Sequence, residues 1–219
     1  MSRSQYLHLH CNTTNIPRFY GLVKLHKTGH PIRPIVSFCG SPTDAVSKFL
    51  SKILNPLTDL APQKIKNTVA IKNELDNFRI SDVDVLISFD VKSLFTQVPP
   101  DLALSSLDDA LSNSDQWKER TTLDKKDLLE LTNICLSSTV FKYDEKIYKQ
   151  IHGTPMGSSI SGTLAEITMQ SIEKDIFDNS PCQIKLWRRY VDDIIAVVPK
   201  DSYLVLFNYI NSINNSIQF

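Results

Sequence analysis

The chain has 219 residues, is 42% hydrophobic and carries no formal net charge, which suits a folded domain with a real core and excludes a disordered polymer. No apolar run approaches the roughly 18 residues of a membrane span, so no membrane partner is expected, and Met1-Ser2-Arg3-Ser4-Gln5 lacks an apolar signal core, which points to an intracellular protein. Cys11, Cys39, Cys135 and Cys182 are scattered, with no CxxC pair, and read as free thiols.

The zero net charge hides an imbalance. Through Lys66 nine Lys and Arg face two acids, Asp44 and Asp59; beyond it 15 Lys and Arg face 22 acids. Such a split suits a polyanion held by one part and a metal site in the other, and it equally suits two solvated faces.

In chain order, Arg18 to Leu25 and Pro31 to Phe38 read as two strands joined by a loop containing Thr28-Gly29. Ser41-Pro42 reads as a helix N-cap followed by proline. Ala45, Val46, Phe49, Leu50, Ile53 and Leu54 form the apolar stripe of that helix. A short helix follows over Thr68 to Phe78, capped by Asn67, and then the strand Val85 to Asp90. Pro99-Pro100 opens a helix through Leu111, and another covers Asp124 to Ser137. Val140 to Tyr143 and Lys146 to Ile151 form a hairpin turning at Asp144-Glu145. Gly153 to Gly162 is a small-residue loop entering a helix that runs to about Phe177. Two apolar runs, Ile184 to Trp187 and Ile194 to Val198, flank Tyr190-Val191-Asp192-Asp193, and a last amphipathic helix covers Tyr203 to Ile213. Interspersed strands and helices with adjacent hairpins make the fold α+β. The ending Ser216-Ile217-Gln218-Phe219 reads as the start of a strand, which suggests a truncated chain.

The chemistry concentrates at the tetrad. Two adjacent carboxylates at the tip of an apolar hairpin repel each other and call for a cation or solvent. With Asp90 at the end of a third strand, Asp192 and Asp193 can hold two divalent ions, the arrangement used for in-line phosphoryl transfer. His8, His10, Cys11, His26 and His30 fit no compact zinc pattern.

Five ordered blocks carry a family resemblance. They are Phe19-Tyr20-Gly21-Leu22-Val23-Lys24-Leu25-His26-Lys27; Pro31-Ile32-Arg33-Pro34-Ile35-Val36-Ser37 with Gly40-Ser41-Pro42; Ser88-Phe89-Asp90-Val91-Lys92-Ser93-Leu94-Phe95-Thr96; Gly153-Thr154-Pro155-Met156-Gly157-Ser158-Ser159; and Arg189-Tyr190-Val191-Asp192-Asp193. In order and spacing they resemble a reverse transcriptase, most closely those of Penelope-like retroelements. The resemblance implies a right-hand polymerase: fingers over 1–80, then a palm over 81–219 with a fingers-like insertion around 112–150 and no thumb. The antiparallel palm sheet would carry the YVDD hairpin.

It further implies that Asp90, Asp192 and Asp193 are catalytic and, with the Val91 carbonyl, hold two magnesium ions that manganese can replace. Asp193 would be the least tightly bound to metal. Arg33, with Lys24 or Lys27, would clamp the incoming triphosphate. Amides at Ser93 and Leu94 would hold its oxygens, Phe95 would exclude a 2′-hydroxyl, and Met156 and Gly157 would border the nucleotide. Phe95 also fits an ordinary core position. Tyr190, Arg188 and Arg189 would meet the primer and template, while strand alternation equally allows Trp187 in the core and the basic residues in water.

The expected partners are an RNA template, a DNA primer and deoxynucleoside triphosphates, and the expected location is nuclear, where such an element integrates. Three departures stand out. Ser158-Ser159-Ile160-Ser161-Gly162 lacks the family's usual prolines, Glu166 replaces a usual Asn, and Met156 replaces the glutamine of retroviral relatives. A non-catalytic, nucleic-acid-binding or inert remnant is the alternative.

Overall fold

A computed structural model describes Leu9, residues 15–25 and residues 27–219. In chain order the elements are β1 (Arg18–Val23), β2 (Ile32–Ser37), α1 (Asp44–Leu54), α2 (Thr68–Asn77), β3 (Asp84–Asp90), the short α3 (Leu94–Gln97), α4 (Pro100–Asn113), α5 (Lys125–Ser137), β4 (Val140–Tyr143), β5 (Lys146–Lys149), α6 (Ser161–Asn179), β6 (Leu186–Tyr190), β7 (Asp193–Pro199) and α7 (Tyr203–Ile213). Strands and helices are mixed as expected for an α+β chain. Contacts divide it into two compact units, the first from residues up to Thr58 and Phe95–Thr168, the second from Asp59–Leu94 and Met169–Phe219. Each unit is assembled from segments distant in sequence, and the chain crosses between them after residues 58, 94 and 168.

The first unit holds a sheet ordered β2-β1-β4-β5. β1 runs antiparallel to β2, with Phe19 opposite Val36 and Leu22 opposite Arg33, and parallel to β4. On one face Tyr143, Phe19, Phe141 and Tyr148 form a chain of ring contacts, edge-on, tilted and stacked in turn, with centroids 5.2 to 5.8 Å apart. The β4–β5 turn has Asp144 and Glu145 both at positive φ, 47° and 58°, the backbone that a two-residue hairpin loop with native twist demands. Helices α1, α4 and α5 supply the buried core residues Leu50, Leu54, Ala103, Leu107 and Leu128. α1 starts later than its sequence suggests: Ser41, Pro42 and Thr43 form turns, and the Asp44 carboxylate takes the Gly40 N–H at 2.9 Å. α2 starts at its expected cap, Asn67 accepting from Ala70 N–H, whereas α5 starts one residue later than expected, because Asp124 is its cap and closes a reciprocal box with Asp127.

The second unit is built on the antiparallel sheet β3-β7-β6. Alternation along these strands separates two faces. Phe89, Ile194, Ala196 and Trp187 turn inward. Phe89 lies 5.9 Å from Trp187, 6.1 Å from Phe207 of α7 and 6.5 Å from Phe219, and Phe177 of α6 meets Trp187 edge-on. The ending 216–219 is not a strand; Ile217 and Phe219 are buried, and Gln218 O accepts the Lys92 N–H at 2.9 Å.

Candidate functional site

The acid hairpin is tighter than its apolar flanks suggest. Tyr190 pairs with Asp193 at the ends of β6 and β7, so Val191 and Asp192 alone make the turn. A β-branched residue resists positive φ, yet Val191 sits at 57°. Two hydrogen bonds hold the tip in that state. Val91 N–H donates to Asp192 O at 3.0 Å, and Arg189 Nη1 donates to Val191 O at 3.0 Å.

β3 brings the third acid to this tip. Asp90 stands opposite Asp193 in the β3–β7 register, and Tyr190 stands opposite Asp193 on the other side. Cross-strand partners share a face, so Tyr190, Asp193 and Asp90 form one row across the sheet, and all three are exposed. Asp192 is partly exposed at the tip. Like charges directly opposed are unfavourable, and a cation relieves them. Among the described residues no three His, Cys, Asp or Glu side chains close into a cage. Magnesium keeps waters and substrate phosphates and needs only one or two carboxylates, so the donor set fits that ion.

Val91 is buried, and Ser93 has a positive φ of 52° just before α3. Leu94 is buried and Phe95 is partly exposed. In the first unit, Phe95 O accepts both the N–H and the hydroxyl of Thr154, each at 2.8 Å. Gly153, at φ 73°, lies so close to the Thr96 backbone that a Cβ would strike its carbonyl. This loop also lines β2: Val36 N–H donates to Met156 O at 2.9 Å. Gly157 is crowded by the Val36 carbonyl, and at φ 109° that close approach by itself favours glycine. Without the usual prolines the loop is set by hydrogen bonds, Ser158 N–H to Pro155 O at 3.3 Å and Ser161 Oγ to the same carbonyl at 2.7 Å. Arg33 is exposed on β2, Lys27 is exposed in the β1–β2 loop, and Lys24 is partly exposed with its N–H on Pro31 O.

One assignment is overturned. Arg189 is fully buried and cannot reach a primer or template. It lies on the core face with Trp187, where its Nε and Nη2 grip Glu173 of α6 at 2.8 and 3.1 Å. Trp187 Nε1 donates to the same carboxylate at 2.9 Å. Arg188, on the opposite face, is partly exposed and doubly paired with Glu74 of α2. Glu173 had no place in the sequence reading. Its signal was there: a lone acid among Met169, Ile172 and Ile176 on the apolar stripe of a helix demands a buried partner. Of the zinc candidates, His8, His10, Cys11 and His26 lie outside the described residues. Cys39, Cys135 and Cys182 are free thiols. Among the described residues no helix is long and apolar enough to cross a membrane.

Comparison with known proteins places this geometry. Residues 25–214 match the family described as reverse transcriptase (RNA-dependent DNA polymerase). A telomerase reverse transcriptase of Takifugu rubripes is 31% identical over 81 residues, covering 35% of this chain and 7% of its own length. Telomerase from Candida albicans, solved with a TWJ fragment of telomeric RNA, superposes with a TM-score of 0.65 at 14% identity, over 97% of this chain and 40% of that one. The BmCPV RNA-dependent RNA polymerase in its elongation state superposes with a TM-score of 0.60 at 12% identity, over 99% of this chain and 20% of that one. The fold is thus that of right-hand polymerases, and the chain spans a minor part of the length of these relatives.

Proposed function

The chain belongs to the reverse transcriptase (RNA-dependent DNA polymerase) family, and from that premise we propose that it extends a primer 3′-hydroxyl with deoxynucleoside triphosphates on an RNA template. Pyrophosphate is the second product. The motif blocks named above support a Penelope-like origin, and with it a nuclear site of action. The observation that carries the catalytic reading is the register that sets Asp90 against Asp193 beside a tip bearing Asp192.

Asp90, Asp192, Asp193 and the Val91 carbonyl would hold two magnesium ions, which supply charge neutralisation and an ionised 3′-hydroxyl. The chain's own work is positioning and electrostatics. Arg33, with Lys24 or Lys27, meets the triphosphate as a planar fork and a point charge. The Ser93 and Leu94 amides add donors to its oxygens. Met156 and Gly157 border the nucleotide, and Phe95 blocks a 2′-hydroxyl, its backbone fixed by Thr154. Tyr190 flanks the acids from β6, where it supports the primer end.

Primer extension on an RNA template tests the proposal. Asp90→Asn or Asp192→Asn abolishes magnesium-dependent extension and leaves primer–template binding nearly intact. Extension at the parental rate by either variant removes the catalytic assignment. A parental chain that binds nucleic acid with a steep salt dependence but never extends it would instead be the non-catalytic remnant.

A further inference from the structure

We infer that Arg189 is a positioning residue for the acid-bearing turn, acting through Glu173 and the Val191 carbonyl; the inference rests on the polymerase reading of that turn. β6 alternation puts Arg189 on the sheet face opposite Tyr190, so it touches neither substrate nor cation. Its guanidinium bridges two elements instead. Nε and Nη2 dock on Glu173 of α6, which is 1% exposed, and Nη1 reaches forward to Val191 O at 3.0 Å. The Glu173 carboxylate is itself fixed by Trp187 Nε1. The Arg189 backbone is clamped as well, its N–H on Gln63 O at 3.0 Å and its carbonyl on Ile65 N–H at 2.8 Å.

The consequence falls on the turn. Val191 holds a backbone state that valine avoids, and such states persist only where the surroundings over-determine them. Arg189 fixes the Val191 carbonyl and Val91 fixes the Asp192 carbonyl, so both peptides that orient the paired carboxylates are tied to the sheet and to α6. A buried ion pair is a poor device for stability alone, since packed apolar side chains serve as well or better. A rigid planar donor that reaches in two directions does what neither an aliphatic chain nor a lysine can do.

Two variants of the full chain separate positioning from packing. Arg189→Lys keeps a charge against Glu173 and loses the fork. Arg189→Met combined with Glu173→Leu leaves no charge buried alone. Each is melted, assayed for primer extension with kcat and KM resolved, and titrated with Mn2+ by electron paramagnetic resonance. The expected result is a kcat about 10- to 100-fold lower and Mn2+ binding about tenfold weaker. The deoxynucleotide KM and the primer–template Kd stay near parental, and the double variant stays cooperatively folded, its melting temperature lowered only by the loss of the acceptor for Trp187 Nε1. Parental kcat and parental Mn2+ affinity in a folded Met/Leu protein overturn the role. If that variant fails to fold, Arg189→Lys decides by the same two readouts. If the parental chain never extends a primer, the polymerase reading fails, and the Mn2+ comparison still judges the positioning role.

Discussion

Asp90 and Asp193 are direct cross-strand partners on β3 and β7, two exposed carboxylates set opposite each other at the end of the sheet next to the Val191-Asp192 turn. Without a cation the pair opposes folding, because like charges at opposed positions repel. Asp90→Asn relieves that repulsion. The variant is expected to melt at or above the parental temperature in chelator, while the parent gains stability on adding magnesium and the variant gains little. Differential scanning fluorimetry with and without magnesium reads both. A variant that melts well below the parent in chelator would show that Asp90 serves the fold rather than a cation.

Two glycines ten residues or fewer apart respond in opposite ways to the same methyl group. At Gly153 the added carbon meets the Thr96 backbone, and φ is 73°, so Gly153→Ala costs about 1–3 kcal/mol. At Gly162, in the first turn of α6, nothing lies within 4 Å of the added carbon, so Gly162→Ala gains about 0.5–1 kcal/mol. Urea midpoints of the two variants, read against the parent, settle the signs. Equal shifts would mean that the Gly153 contact with Thr96 is not what fixes this loop.

The acid row was legible before any coordinates because its signals are local. Short continuous apolar runs mark β3 and β7, and two adjacent acids between apolar strands mark a tip. The Asn67 cap was legible for the same reason. Arg189 was not. Its spacing two residues after Trp187 puts both on one face, but only the fold brings α6 and Glu173, sixteen residues away, beneath that face. Nor does residue type reveal that Val36 crowds Gly157, since a strand and a loop some 120 residues apart make that contact. The α1 start was misread because Ser41-Pro42 suits a turn as well as a cap, and the Asp44 carboxylate on Gly40 N–H decides between them.

At the far end of β3, Asp84 is buried, and its Oδ2 takes Lys185 Nζ at 2.7 Å and the Ser81 hydroxyl. Lys185 first and Ser81 second hold its carboxyl below the usual range, while its buried Oδ1 has no hydrogen-bond partner among the described residues. A carboxyl depressed in the folded state contributes stability above the unfolded value, near about 4, and that contribution is lost as pH falls through the folded value. Lys185→Met should therefore flatten the acid limb of stability below about pH 4 and lower stability at pH 7. Urea midpoints from pH 2 to 7 test this. An acid limb of unchanged steepness in the variant would assign the acid sensitivity to other groups.

Val191 offers the sharpest trade between stability and chemistry. Its φ of 57° is costly for a β-branched side chain and free for glycine. Relief of about 1–3 kcal/mol of strain, less about 0.5–1 kcal/mol for the added freedom of the unfolded chain, leaves Val191→Gly about 1 kcal/mol more stable. The same change removes the stiffness that keeps Asp192 and Asp193 aimed. Primer extension should slow several-fold although the Val191 carbonyl and its bond from Arg189 remain possible. Denaturant unfolding and single-turnover extension of one preparation measure the two effects together. A glycine variant that is both more stable and as fast as the parent would mean that the strained backbone contributes nothing to the chemistry.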